Sequence, residues 1–390
     1  MKFARKLWQR TLDLVPVTGF HFDRPLVLLQ SDDWGRAGVC DQEGWEQLRS
    51  AGIALGERPY DFYSLETAED LAALSAVLSR HRDSGGRRPC LEMNFVVANL
   101  DLAKMGADSG QLQLLPLAEG LPQGWNRPNL LEGYRAGIGD GVFRAALHGT
   151  THFCRSAVER NLGAGSERAK LVRILWNSGT PYIYWRMPWI GYEYWDPEKP
   201  EEERFLPSER QWELIGQAVG QFAQMFSTLP HSACAPGYRA NDDTHRAWAQ
   251  HGILVVQNGP GGLVPPHFGR HDVLHSTRAV EFEPAVDPKF SAEACLRQAE
   301  RCFACGIPAI VSVHSINFHS TLRDFRGRTL EALEEFLGAL EAKYADLLYI
   351  HDEDLQELVT KGSYRTENGI VQVNVLKKRF KKASVVRQDA

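Results

Sequence analysis

The sequence predicts an α/β fold with a mainly parallel sheet, and two observations support this. Short apolar runs alternate with segments of helical spacing through most of the 390 residues. The connections between the runs are mostly long enough for crossover helices, which parallel neighbours require. The predicted strands are residues 26–30, 91–97, 143–147, 232–235, 254–257, 309–313 and 347–350, and the predicted helices are 67–80, 167–176, 209–226, 243–251, 292–305 and 329–344. This order favours either a barrel or a doubly wound sheet.

The composition is that of an ordinary globular protein, with 43% hydrophobic and 24% charged residues. Lys and Arg total 44 against 49 Asp and Glu, and the resulting net charge of −5 is unlike the basic character of nucleic-acid binders. We therefore expect no nucleic-acid partner. The seven cysteines, an odd number spread over a long chain, do not indicate a disulfide framework. Cys295, Cys302 and Cys305 share one predicted helix, which favours core positions over a zinc or redox site.

No apolar run approaches the roughly 20 residues needed to cross a bilayer. Charged residues interrupt the stretch 1–20, so no signal peptide is predicted there and the expected location is cytoplasmic. A C-terminal cluster of basic residues consists of Lys377, Lys378, Arg379, Lys381 and Lys382. It is either a solvated tail or a peripheral contact with anionic lipid at the inner membrane face.

We expect residues 24–362 to form the main domain, preceded by an N-terminal segment (1–23) and followed by the basic tail (363–390), in which 369–376 has strand character. An aromatic-rich insertion near 181–207 interrupts the domain. Its aromatic residues are Tyr182, Tyr184, Trp185, Trp189, Tyr192, Tyr194, Trp195 and Phe205. The insertion either covers the hydrophobic interior or lies over a site and offers rings for a sugar to stack on.

The predicted strand 26–30 runs directly into Ser31-Asp32-Asp33-Trp34-Gly35. Two adjacent carboxylates at the carboxyl end of a strand stand where parallel α/β folds place their active sites. A buried carboxylate is costly without a partner, so a cationic group should lie near. The alternative is a solvated turn in which Asp33 or Asp41 caps the next helix.

The predicted strand 143–147 is also followed by polar residues, in the run His148-Gly149-Thr150-Thr151-His152. Two imidazoles four residues apart can converge on one metal ion, and a carboxylate from a neighbouring strand would complete the ligand set. Two histidines at this spacing, taken alone, more often have a structural role. Its coincidence with Asp32 and Asp33, each at the end of an apolar strand, favours a metal site.

Three further strand ends carry polar groups. Arg239 follows the predicted strand 232–235 and could pair with a site carboxylate, although Asp242 or Asp243 could equally cap a helix there. His314 directly follows the predicted strand 309–313. It is placed either to act as a general acid or to be a packed residue. We interpret the last run, which begins at His351, as an acidic helix N-terminus in preference to a site.

Taken in order, these motifs resemble those of the NodB-homology polysaccharide deacetylases, carbohydrate esterase family 4. Residues 30–35 are similar to their Thr-Phe-Asp-Asp-Gly motif, with one extra residue before the glycine, and 148–152 are similar to their His-Ser/Thr-x-x-His motif. Residues 311–314 are similar to their Leu-x-His motif. The resemblance implies a distorted (β/α) barrel of the polysaccharide deacetylase type, with parallel strands and outer helices.

The resemblance also implies roles for individual residues. Asp32 would be the catalytic base and His314 the general acid, while Asp33, His148 and His152 would hold a divalent metal, with zinc expected. The third motif departs from the family's Arg-x-Pro, because Cys234 stands where the arginine should be and Arg239 follows instead. The run 236–241 is closer to a branch that deformylates lipid-linked aminoarabinose, and residues 31–35 also resemble deacetylase-like proteins of polysaccharide clusters.

The sequence thus predicts a metal-dependent hydrolase that removes an acyl group, with N-acetyl expected, from a carbohydrate such as a lipid-linked or polysaccharide-precursor sugar. In this mechanism Arg239 keeps Asp32 charged and oriented. The expected substrate contacts are Trp34, Tyr238, Trp185, Trp189 and Asn317. The alternatives are a catalytically degenerate glycan-binding protein of the same fold, a lipid-linked sugar deformylase, and a glycosidase using Asp32 with a second carboxylate.

Overall fold

A curled, mostly parallel sheet organises the chain, as seen in a computed structural model that describes residues 17–105, 111–162 and 165–380. The described strands are β1 (Val17–Phe22), β2 (Leu26–Trp34), β3 (Leu91–Val96), β4 (Ala98–Leu100), β5 (Leu114–Pro116), β6 (Phe143–Gly149), β7 (Ser232–Ala233), β8 (Val255–Asn258), β9 (His267–Phe268), β10 (Leu274–Thr277), β11 (Val280–Glu281), β12 (Ala309–His314), β13 (Leu348–Tyr349), β14 (Ser363–Thr366), β15 (Gly369–Gln372) and β16 (Val375–Phe380). The main sheet runs β11-β12-β2-β3-β6-β7-β8-β10-β9, and β13 also pairs with β2. Of these pairings only β9 with β10 is antiparallel.

Helices connect most of the parallel strands. Those described are α1 (Gln42–Ser50), α2 (Ala68–Leu78), α3 (Leu130–Gly139), α4 (Arg155–Asn161), α5 (Glu167–Asn177), α6 (Ser208–Phe226), α7 (Asp242–Gln250), α8 (Ala292–Ala304), α9 (Arg326–Lys343) and α10 (Asp352–Lys361). Parallel strands with crossover helices confirm the predicted fold class, a distorted (β/α) barrel. No helix in the described ranges combines the length and the apolar character needed to span a bilayer.

The six predicted helices lie within three residues of the observed bounds, and side-chain caps mark where four of them begin. Thr67 and Asp70 form a capping box at the start of α2, and Ser291 accepts a hydrogen bond at the start of α8. His351 caps α10, so the acidic run after it is a helix N-terminus, as predicted. Helices α1, α3 and α4 were not predicted; α3 contains three glycines, which weaken its helical signal.

Side chains alternate between two faces of the main sheet with a period of two. The outer face carries apolar residues such as Val27 and Leu29, which join the helices in the largest core cluster. Cys295 and Cys302 of α8 belong to this cluster, as predicted. Cys305 is exposed.

The inner face changes character along the strands. Its first positions are apolar and pack with β1 and α10; they are Leu26, Leu28, Val255, Leu274 and Ile310. The following positions are polar and buried; they include Gln30, Asp32, Glu92, Asn94, Gln257, Ser276 and Ser312. Strand register places Ser312 beside Gln30 and His314 beside Asp32. The polar half therefore lies at the carboxyl ends of the strands.

The C-terminal region continues as paired strands up to residue 380. The predicted strand character of 369–376 corresponds to β15 and β16. β14 pairs with β15, while β16 pairs antiparallel with β1 over six residues. Lys377, Lys378 and Arg379 lie on β16, whereas Lys381 and Lys382 lie outside the described residues.

Candidate active site

The two adjacent carboxylates separate because β2 bulges at its end. The register of β2 with β3 shifts between Ser31 and Trp34, so one residue more lies on β2 than on β3. Asp33 has a positive φ of 73°, which is unusual for a residue with a side chain. The hydroxyl of Tyr63 holds this conformation by donating to the Asp33 carbonyl oxygen over 2.8 Å. The side chains of Asp32 and Asp33 consequently contact different residues.

Asp33 meets the two predicted histidine ligands. Its Oδ1 lies 3.5 Å from Nε2 of His148 and 3.1 Å from Nε2 of His152. This oxygen is buried and has no hydrogen-bond partner among the described residues. One ligand atom from each of the three side chains lies within 4.8 Å of the others. The structure therefore brings together the carboxylate and the two imidazoles that the sequence nominated.

Both imidazoles are prepared for a ligand role. Nδ1 of His148 lies 2.8 Å from the carbonyl oxygen of Cys234 and donates its hydrogen there, while Nε2 faces Asp33. Burial lowers the pKa of His152 to about 3, so its ring is neutral. One nitrogen from each imidazole and one carboxylate oxygen match the two-nitrogen, one-oxygen set of catalytic zinc sites.

A buried glutamate explains why glycine follows the first histidine. Gly149 has φ of 116°, and a Cβ there would lie 2.1 Å from Oε2 of Glu193. Oε1 of Glu193 accepts from the backbone N–H groups of Thr150 at 2.9 Å and Thr151 at 3.3 Å. Burial raises the pKa of Glu193 to about 7. Glu193 thus holds the turn between His148 and His152, a contact that could not be predicted from the sequence.

Arg36 takes the second oxygen of Asp33. Its Nη1 donates to Oδ2 over 2.7 Å, and its guanidinium lies 4.2 Å from the ring centre of Tyr63. Burial alone would raise the pKa of Asp33, but Arg36 and then His152 outweigh it and hold the pKa well below its ordinary value. Asp33 is therefore ionised, with Oδ1 left for a metal.

Asp32 pairs with Arg278, and the expected pairing with Arg239 is wrong. Nη1 and Nη2 of Arg278 donate to the two Asp32 oxygens over 2.5 and 2.6 Å, and Nδ2 of Asn94 donates to Oδ1 over 2.9 Å. Burial would raise the pKa of Asp32, but Arg278 outweighs it and keeps the pKa far below its ordinary value. The carboxylate is therefore charged and held at both oxygens.

The turn after Pro236 explains the displacement of Arg239. Gly237 and Tyr238 both have φ of 57°, and this reversal carries Arg239 to the ring of Trp195, 4.9 Å from its centre. Arg278 instead follows β10, a four-residue strand that was not predicted because its sequence, Leu-His-Ser-Thr, is not an apolar run. The cation that Asp32 needs therefore comes from a different strand end.

His314 belongs to a carboxylate–imidazole pair. Its Nδ1 lies 2.6 Å from Oε1 of Glu283, and its Nε2 lies 4.0 Å from Oδ2 of Asp32. Burial would lower the pKa of His314, but Glu283 outweighs it and raises the pKa to about 9. The ring is therefore protonated at neutral pH, and Nε2–H is directed at the site. Glu283 was not nominated from the sequence.

Three of the five expected substrate contacts are structural. Trp34 is fully buried, stacks on Phe318 and donates from Nε1 to Ser31 over 2.8 Å. Trp189 is buried in a second apolar cluster. Asn317 is fully buried, donating to Glu283 and accepting from the backbone N–H of Ala285. These side chains have no surface free for a ligand, because strand alternation and packing turn them inward.

Trp185 and Tyr238 remain as surface rings near the site, at 43% and 36% exposure. Tyr60 links Trp185 to the site, since its ring centre lies 5.9 Å from that of Trp185 and 6.4 Å from that of His314. The hydroxyl of Tyr238 lies 3.2 Å from Nη1 of Arg278. The aromatic insertion is therefore divided: part of it is core, and Trp185 lies at the rim of the site.

No protein family profile and no curated protein sequence matches the chain. Among solved structures, it is similar to a probable polysaccharide deacetylase from Pseudomonas aeruginosa PAO1, at 12% identity, with 87% of this chain and 92% of that chain covered and a TM-score of 0.47. A family 4 carbohydrate esterase from Streptomyces lividans in complex with acetate gives 12% identity, 83% and 90% coverage and a TM-score of 0.36.

A third similar structure is a CE4 family pseudoenzyme from Bacillus anthracis, at 10% identity, with 84% of this chain and 64% of that chain covered and a TM-score of 0.37. At these identities the likeness concerns the fold alone. Solved carbohydrate esterases and polysaccharide deacetylases are thus among the structures to which this chain is similar, and they represent the family that its ordered motifs resemble.

Proposed function

We propose that the chain is a metal-dependent hydrolase that removes an acyl group, with N-acetyl expected, from a carbohydrate. The observation that carries this proposal is that different residues at the strand ends are placed for metal binding, for proton acceptance and for proton donation. Asp33, His148 and His152 present three free ligand atoms to one point, while an ionised Asp32 and a protonated His314 flank it. Metal-assisted hydrolysis of an acyl group uses this combination of metal ligands, base and acid.

The residues fit a divalent ion, and zinc is the expected one. The buried Oδ1 of Asp33 lacks a hydrogen-bond partner, which is a costly arrangement unless a cation satisfies it. Two imidazole nitrogens within 3.5 Å of that oxygen complete the set. When bound, the ion would act as a Lewis acid and lower the pKa of a water toward about 7.

Asp32 would accept the proton of the attacking water. Arg278 and Asn94 fix both its oxygens, so the carboxylate cannot turn away. Its depressed pKa makes it a weak base, which suits a water that is already acidified. His314 would then donate its Nε2 proton to the leaving amine or hydroxyl, and Glu283 would stabilise the imidazolium before that transfer.

The surroundings support a sugar as the substrate. Trp185 and Tyr60 offer ring faces at the rim, on the His314 side of the site. Tyr238 adds a ring on the Arg278 side. Sugars present C–H faces that stack on such rings, while their hydroxyls need polar partners. A lipid-linked or polysaccharide-precursor sugar is the substrate we propose within this class, with a formyl group as the alternative to acetyl.

Peripheral membrane contact is a further part of the proposal. Lys377, Lys378 and Arg379 are exposed on β16 and could rest on anionic lipid. Changing all three to glutamate should abolish co-sedimentation with phosphatidylserine vesicles at low salt, while the thermal midpoint stays unchanged. Equal sedimentation of the variant and the wild type would contradict the membrane contact.

A non-catalytic glycan-binding protein is the second candidate. The observation that favours it is the Arg36–Asp33 ion pair, because a buried guanidinium on Asp33 already balances its charge without a metal. A hydrolase releases the acyl group from the sugar, whereas a binding protein leaves it in place.

The test is a screen of N-acetylated, O-acetylated and N-formylated sugars with protein reconstituted with zinc, cobalt or nickel. The proposal expects release of acetate or formate from at least one class, and loss of this release in His148→Ala. Protein that binds these glycans unchanged, with no acid released under any metal, would instead identify the second candidate.

A further inference from the structure

We propose that Asp352, the first residue of α10, is a positioning residue for the reaction. It orients the side-chain amides of Gln30 and Gln257, and these hold Arg278 against Asp32. The inference rests on the proposed function, because it assigns a role in placing the base. It is carried by a set of buried hydrogen bonds that joins the two ends of the polar interior.

The Asp352 carboxylate is 1% exposed and meets two glutamines. Oδ1 accepts from Nε2 of Gln30 over 2.9 Å, and Oδ2 accepts from Nε2 of Gln257 over 2.7 Å. Both Asp352 oxygens accept in these two contacts. Each amide therefore presents its NH2 group to Asp352, and its oxygen points the other way.

Those two amide oxygens both receive Arg278. Nε of Arg278 donates to Oε1 of Gln30 over 3.1 Å, and Nη2 donates to Oε1 of Gln257 over 3.0 Å. The remaining donors reach the two Asp32 oxygens and the Tyr238 hydroxyl. All five guanidinium hydrogens thus have an acceptor, and Arg278 has one orientation in which this holds.

Asp352 orients both glutamines, and for Gln257 it acts together with Asn94, whose Nδ2 donates to Oε1 of Gln257 over 2.7 Å. A glutamine amide can turn by 180° at almost no cost in shape, so packing alone does not choose between its two ends. If either amide turned, an NH2 group would face a guanidinium N–H, and Arg278 would lose an acceptor. A displaced Arg278 would in turn release Asp32, whose distance of 4.0 Å from His314 sets the geometry of the site.

Glu92 supplies a matched control. It is also a buried carboxyl beside Asp352, and its Oε1 accepts from the backbone N–H of Asp352 over 2.8 Å. Glu92 is the backbone neighbour of Gln30 across β2 and β3, but no side-chain hydrogen bond or ion pair between described residues joins it to Gln30, Gln257 or Arg278. Glu92→Gln keeps the accepting oxygen and removes one buried carboxyl from the same place.

The decisive experiment is a double-variant cycle on the zinc-loaded full chain. Asp352→Asn replaces one accepting oxygen with an NH2 group, which must oppose the NH2 of one glutamine. Gln257→Glu alone sets two carboxylate oxygens against each other across the same contact. We expect each single variant to lower kcat by at least about tenfold, with KM and zinc content within about twofold of wild type.

The double variant D352N/Q257E restores complementarity, because the introduced amide donates to the introduced carboxylate, which still accepts from Arg278. We expect it to recover kcat to within about threefold of wild type, with Glu92→Gln unchanged. Crystal structures of the same proteins should show Arg278 bidentate on Asp32 in wild type, control and double variant, and displaced in Asp352→Asn.

Several outcomes would overturn the inference. They are an Asp352→Asn protein with unchanged kcat and an unmoved Arg278, a folded double variant no better than either single variant, and a double variant that fails to fold. If wild-type protein releases no acyl group from any sugar, the proposed function fails. The crystal structures still decide in that case whether Asp352 orients Arg278.

Discussion

At the scale of single residues, paired charges determine what each titratable group can do. Arg278 and Arg36 keep two neighbouring carboxylates ionised in a buried place, and Glu283 keeps an imidazole protonated there. The residue types could be nominated from the sequence because each stands at a strand end. Most of their partners could not, since Arg278 is 246 residues away from Asp32 along the chain and Glu283 is 31 residues away from His314.

The Glu283 pair makes a prediction about pH. A general acid must be protonated, so activity should fall as pH rises through the His314 pKa of about 9. Glu283→Gln removes the largest of the contributions that raise this pKa and leaves only Asp32 and Asp33 to oppose burial. The alkaline limb of the kcat/KM profile should therefore move to lower pH.

Glu281→Gln is the control for this pH prediction, because Glu281 lies at the end of β11, two residues before Glu283, and no hydrogen bond or ion pair between described residues joins its side chain to His314. An alkaline limb at the same pH in Glu283→Gln and wild type would show that His314 is not the acid.

Gly149 gives a second prediction at this scale. A methyl group there would meet Glu193 at 2.1 Å, and the φ of 116° disfavours any side chain. Gly149→Ala should lower the free energy of unfolding by about 2 kcal/mol or more, measured by urea denaturation, and should weaken zinc binding.

Gly338→Ala is the matched substitution, since nothing lies within 4 Å of a Cβ at that helical position. It should be neutral or stabilise the fold by up to about 1 kcal/mol. Equal changes in the free energy of unfolding for the two substitutions would contradict the role given to Gly149 and Glu193 in the turn between His148 and His152.

At the scale of elements, apolar runs and caps were enough to predict β2, β3, β6 and β12 and the helices that follow several of them. The bulge at the end of β2 could not be predicted, because it depends on register with β3. β10 and β11 were missed because their sequences, Leu-His-Ser-Thr and Val-Glu, are not apolar runs. These unpredicted elements carry or adjoin Arg278 and Glu283, so the site's charge partners stayed hidden.

The aromatic insertion allows a prediction that separates its two roles. Trp185→Ala should raise KM severalfold and leave the free energy of unfolding within about 0.5 kcal/mol, because the ring is exposed at the rim. Trp189→Ala should cost about 3–5 kcal/mol of stability instead, because it leaves a cavity in a packed cluster. Steady-state kinetics and urea melts check both; an unchanged KM in Trp185→Ala would remove this residue from the substrate site.

At the scale of the whole molecule, the inner face of the curled sheet is apolar at one end and polar at the other. Alternation along each strand predicts two faces, but it does not say that the strands share a register that collects their polar ends. That register places Asp32 beside His314 and brings Asp33 to the two histidines. The ordered motifs anticipated this convergence through their resemblance to a known family, whereas the closing contact of β1 with β16 joins opposite ends of the described chain and had no local signal.

The most direct test of the account is the zinc stoichiometry of four proteins, measured by elemental analysis after dialysis against limiting zinc. We expect one zinc per chain in wild type and in Asp32→Asn, because the proposed role of Asp32 is that of a base and not of a ligand. We expect at least a tenfold loss of affinity in Asp33→Asn and in His148→Ala, each with a retained fold by circular dichroism. Wild-type affinity in His148→Ala, or a loss of zinc in Asp32→Asn equal to that in Asp33→Asn, would contradict the division of labour on which the proposed function depends.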